Sequence, residues 1–233
     1  TIPDGVTSIE YNTFGNCISL SNVSISTESK LTNIGYHSFS GCKSLESINI
    51  PSGVTSIGTS AFSNCEKLTG ITIPAGITKI EDSTFYGCKS LKGINIPSGV
   101  TGIGESAFSN CEKLTDITIP SGITKIEDNT FNGCKSLKSI NIPSEVTSIG
   151  KSVFYNCEKL TDITIPSGIT KIEESTFEGC KSLEGITIPS TVTSIGNEAF
   201  SDCESLSSIE IPSGVTSMGT YILSGCSNLR SAT

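Results

Sequence analysis

FSNCEKLTDITIP, residues 108–120, decides the fold. In its second half, apolar Leu114, Ile117 and Ile119 are separated by polar Asp116 and Thr118, and most of the run is β-branched. That pattern predicts a short strand with Leu114, Ile117 and Ile119 facing a core and Asp116 and Thr118 facing out. Pro120 lacks an N–H and ends the strand. Upstream, ESAFSNC places Phe108 and Cys111 three residues apart, which predicts one or two helical or 3₁₀ turns burying both. Downstream, PSG(V/I) reads as a tight turn into a second extended run, VTSIG in several units. Glu145 and Thr191 stand in two units where the others carry the glycine, so the slot does not demand positive φ. This predicts a type I turn with glycine at its last position.

The stretch recurs along the whole chain. The first two of the ten cysteines, Cys17 and Cys42, are 25 residues apart, and every later gap, to Cys226, is 23. Prolines repeat at the same interval from Pro51 to Pro212, and all nine phenylalanines stand three residues before a cysteine. Ser26 occupies the slot of one missing proline, beside the two-residue insertion. The unit is LxxIxIPxxVTxIGxxAFxxCxx. A two-unit period overlies it: GCKSL alternates with NCEKL, and segments 77–122 and 123–168 differ at only eight of 46 positions. One unit cannot bury its own apolar face, so the units must stack into a solenoid.

Stacking explains the cysteines. Equivalent thiols form a buried column, about 4.8 Å apart and parallel. A disulfide needs Cβ atoms about 3.8 Å apart and converging. Zinc sites need paired spacings such as CxxC, and none occurs. The cysteines are therefore expected to be free, buried and unreactive. The residue after each cysteine supplies a second test. From Lys43 to Glu204 it alternates Lys and Glu over eight units, so stacking in register sets each charge against its opposite and disfavours one-unit slips.

Charge and composition narrow the function. A net charge of −8 without a Lys/Arg cluster argues against nucleic acid and anionic lipid as partners. No apolar run is long enough for membrane insertion. The glycines are turn residues at repeat spacing and form no phosphate loop. His37 is the only histidine, with no nucleophile–base arrangement expected around it. A repeated chain also makes a unique catalytic centre improbable, so no enzyme activity and no cofactor are expected.

The LxxIxI strand, the proline step and the AFxxC ending together resemble the BspA-like, or Treponema-type, leucine-rich repeat family, from Ile2 to Leu229. The resemblance implies a right-handed solenoid with a parallel sheet on its concave face. It also implies cell-surface or secreted proteins of bacteria and some parasitic protists, associated with adhesion to other proteins or cells. The chain opens and closes within a unit and shows no capping unit. It reads as one solenoid domain over residues 1–233, part of a longer protein, with apolar ends that favour end-to-end self-association.

The outward strand positions are the first candidates for protein binding: Asn49, Thr72, Asn95, Asp116, Thr118, Asn141, Asp162, Thr164, Thr187 and Glu210, flanked by Glu46 and Glu184. They read either as a polar recognition strip or as a solvated Thr/Asn ladder. No aromatic or Arg lies among them. The Glu81–Asp82, Glu127–Asp128 and Glu173–Glu174 pairs lie two units apart, about 10 Å, which favours solvated charge over a calcium site. Tyr11 and Tyr36, with His37 beside the second, read either as an aromatic patch for a partner or, more commonly, as ordinary exposed turn residues, and Asn22-Val23-Ser24 matches a glycosylation acceptor within a predicted strand. The sequence points to an adhesion or protein-binding module at the cell surface or outside the cell, binding by many weak contacts. The alternative is a spacer that holds another domain away from the surface.

Overall fold

In a computed structural model describing residues 1–233, each 23-residue unit makes one coil of a parallel β-solenoid of about ten coils, with no helix. Each coil carries up to two short strands. The first falls in LxxIxI, as at Asp116–Ile117, and the second in the VTSIG segment, as at Gly102–Ile103. Strands pair in parallel with the next coil in strict register, Ser139 opposite Asp162 and Ile80 opposite Ile103. Leu114, Ile117 and Ile119 are buried while Asp116 and Thr118 are exposed, as the alternation requires.

Inside the coil, chemically identical side chains lie over one another. Phe14 to Phe200 form a continuous stack, with ring centroids 5.1 to 5.9 Å apart and planes within 10° of parallel. Cys42 to Cys203 are buried and free, whereas Cys17 is exposed and Cys226 half-buried in the outermost coils. Each thiol from Cys42 onward also donates a hydrogen bond. Cys134 Sγ reaches the Phe108 carbonyl at 3.3 Å, and that same carbonyl accepts the Cys111 N–H at 3.1 Å. Cysteine is thus a small apolar filler that also ties one coil to the one before it.

The helical or 3₁₀ turns expected before each cysteine do not form. Ser106 and Asn110 take left-handed backbone, at φ 55° and 59°. Local bonds alternate with bonds to the next coil: Ser109 N–H reaches Ser106 O, and Asn110 N–H reaches Asn132 O at 2.6 Å. A helix would turn each N–H beyond its first turn onto its own segment, and the coils would lose part of this ladder. The residue before cysteine is left-handed in all ten coils, and it is Asn, Gly or Asp each time. These are the residues that tolerate that region. The tight turn also differs in detail, because Val100 N–H bonds Pro97 O. Glycine is therefore third in that turn, not last, and it stays out of the left-handed region, so Glu145 and Thr191 fit.

The two-unit period is written into the second sheet. Where the second strand ends on Gly35, Gly58, Gly104, Gly150, Gly196 or Gly219, that glycine's N–H bonds the preceding coil, as in Gly104 to Ile80 O at 2.8 Å. A Cβ at any of these six positions would come within 3.0 Å of the preceding coil's backbone; at Gly104 it would stand 2.6 Å from Asp82 N. Where the slot holds Glu81, Glu127 or Glu173, no pairing to the preceding coil forms, and the sheet is interrupted.

Candidate binding face

The first strands set one face of the solenoid. All ten candidates, Asn49, Thr72, Asn95, Asp116, Thr118, Asn141, Asp162, Thr164, Thr187 and Glu210, are exposed on it, as are Glu46 and Glu184. They align across coils, with Thr72 bridged to Asn95 and Thr187 to Glu210. None of the ten side chains bonds within the chain. The neighbouring threonines do: Thr115 Oγ1 donates to Lys92 O at 3.1 Å and Thr161 Oγ1 to Lys138 O at 3.2 Å.

Contrary to the expectation from their spacing, the glycines are not all turn residues, because three on this face break the strip. Gly70, Gly93 and Gly185 take the outward slot that Ser47, Asp116, Ser139, Asp162 and Ser208 fill elsewhere. A Cβ at Gly70 or Gly185 would meet nothing within 4 Å, and one at Gly93 only ordinary contact with Asp116 O at 3.5 Å. None of the three has positive φ. Packing does not require them, and their effect is to leave notches. One lies among Asn49, Thr72 and Asn95 at about 460 Å³, and a larger one of about 1040 Å³ surrounds Gly185. A glycine inside a strand pattern was the available sequence signal.

Some charges elsewhere are engaged. Lys79, Lys125 and Lys171 pair with Glu81, Glu127 and Glu173 at 2.6 to 2.8 Å. Asp82 Oδ1 accepts the Glu105 N–H at 2.9 Å. In the alternating column, Glu66 sits 3.3 Å from both Lys43 and Lys89, whose hydrogen bonds hold its carboxyl below the usual range. No three His, Cys, Asp or Glu side chains converge as a metal site. Tyr11 and Tyr36 are exposed, with the Tyr11 ring edge-on to His37 at 6.1 Å. Asn22 is exposed within a first strand.

Coils and face together define a leucine-rich repeat solenoid. The BspA type leucine rich repeat region matches residues 1–115 and 101–230, and the chain belongs to that family. Among solved structures it is similar to a leucine-rich repeat protein from Bacteroides ovatus, with 33% identity and a TM-score of 0.79, covering 100% of this chain and 65% of that one. A leucine rich cell surface protein from Faecalibacterium prausnitzii is 34% identical, with a TM-score of 0.58 over 97% of this chain and 76% of that one. The leucine rich repeat protein of T. pallidum is 27% identical, with a TM-score of 0.52 over 88% and 79%. No curated protein matches the chain. This chain thus spans slightly less than two-thirds of the B. ovatus protein's length. No helix is long and apolar enough to cross a membrane.

Proposed function

We propose that this protein is a protein-binding module of a bacterial cell-surface or secreted protein, and that it engages partners through the face built from its first strands. One observation carries the reading: eight polar side chains stand in file there with Asp116 and Asp162 in the column beside them, all exposed and unbonded, while the adjoining threonines are tied to main chain. Unengaged donors and acceptors on a rigid lattice suit many modest contacts that add through multivalency. Similarity to a cell surface protein of F. prausnitzii supports the location. A plain spacer would need only a regular, solvated surface, and the glycine notches depart from that regularity. The test is surface plasmon resonance against a panel of host extracellular proteins, comparing the wild type with the triple variant Asn95→Ala, Thr118→Ala, Asn141→Ala. Loss of at least tenfold in affinity is expected, and unchanged binding would transfer support to the spacer.

A further inference from the structure

The two notches differ in charge, and that difference identifies an occupant. The notch among Asn49, Thr72 and Asn95 has no charged lining residue. The one around Gly185 has two, Asp162 and Glu210, and both are carboxylates. Glu184 is exposed on the same face. None of the three belongs to any of the chain's ion pairs. Lys138 and Arg230 occupy the slot of Glu184 in the coils that flank the notch. The floor includes one accessible apolar side chain. Ile186 is partly exposed, whereas its column mates Ile163 and Ile209 are only 4% and 3% exposed. Gly185 and Ile186 also form no strand pairing with Asp162–Ile163.

We infer that the Gly185 notch docks a basic, extended segment of a partner protein, a Lys or Arg stem lying on Ile186 while its charged head reaches Asp162 or Glu210. Long basic side chains suit such a site, because their methylenes cover apolar surface while the head stays with the carboxylate. Asp162 and Glu210 are two coils and two strand positions apart, about 12 Å by strand geometry, so two basic residues of one segment can be held together. Complementary charge sets the specificity of this contact and speeds encounter. The inference rests on the first-strand face being the binding face and adds the chemistry of its partner.

Fluorescence anisotropy with a fluorescein-labelled hexa-arginine peptide at physiological salt tests it, with hexa-glutamate and a Gly-Ser hexamer as comparators. Wild type should bind hexa-arginine alone. The double variant Asp162→Asn, Glu210→Gln should weaken binding at least tenfold. Gly185→Leu should do so without changing any charge; open space at this position means the fold tolerates it. The control pair Glu28→Gln, Glu105→Gln removes two exposed carboxylates elsewhere and should change affinity less than threefold. Equal losses in the control and notch variants would show attraction to the overall charge of −8 and overturn the inference. So would an unaffected Gly185→Leu, or no hexa-arginine binding at all. If hexa-arginine fails while the Asn95, Thr118, Asn141 variant still abolishes partner binding, only the basic segment is lost and the binding face stands.

Discussion

Coils whose second strand ends on glycine and coils whose second strand ends on glutamate have nearly the same sequence and different sheets. Behind Gly104 the ladder to the previous coil closes; behind Glu127, one coil later, it does not. The rest of the coil follows suit. Glutamate coils carry a threonine before the phenylalanine, and Thr84 Oγ1 donates to Glu81 O at 2.7 Å. Thr130 and Thr176 bond Glu127 and Glu173 in the same way. Most glycine coils carry an apolar residue there, such as Ala61, Ala107, Val153 or Ala199. One missing Cβ thus governs how two coils approach, and a buried hydroxyl is admitted where a local acceptor answers it.

The largest expected effect ignores this difference, because both kinds of coil bury the same thiol. Burial pushes Cys88 and Cys134 up to about 12 from an ordinary value of 9. Below pH 9 the thiols are neutral whether folded or not. Above it the unfolded chain ionises first while the folded one holds its protons, so stability falls as pH rises from about 9 towards the folded values. Each buried thiol loses about 1.4 kcal/mol by one unit above its ordinary value. Eight together lose about 11 kcal/mol, comparable to the stability of a whole domain. Circular dichroism on titration from pH 8 to 11 should show both kinds of coil unfolding in one steep transition. Folded protein surviving at pH 11 would contradict a buried column.

Gly104→Val attacks the comparison itself. It drives a branched side chain against the Asp82 backbone and should cost about 2 kcal/mol, read as a lower urea midpoint. Unchanged stability would mean that close approach is not what glycine secures. Ser38→Ala is smaller and opposite in sign. Ser38 belongs to a glycine coil, its hydroxyl is buried, and it is the only such side-chain group without a partner. Its removal should stabilise by about 1 kcal/mol, seen as a raised Tm, whereas Thr84→Ala should destabilise slightly. Glu127→Gly should change overall stability least, since the gained ladder is offset by glycine entropy and the lost Lys125 pair. Its signature is slower hydrogen exchange at residue 127, and unaltered exchange would refute the role given to the glutamate.

Much of this was legible in the sequence because solenoid packing repeats one local pattern ten times. Strand phase, the phenylalanine and cysteine columns and the exposure of all ten strip residues followed from periodicity alone. The helical turns were misjudged since a three-residue spacing suits a helix and a pair of left-handed turns equally. The slot before each cysteine, always Asn, Gly or Asp, held the distinguishing signal. The notches at Gly70, Gly93 and Gly185 were missed because a glycine serving packing and one serving vacancy look the same until the neighbouring coil is in place.

That slot before each cysteine also governs how such a protein can change its length. Asn110 extends its side-chain oxygen into the space a Cβ on Gly133 would occupy, 2.5 Å away, and the same fit recurs from Asn16–Gly41 to Asp202–Gly225. Removing 23 residues would bring like partners together, two protruding amides or two vacancies. Removing 46 restores the match. Lineages carrying this architecture should therefore grow and shrink by doublets, and builders of synthetic versions should count in twos.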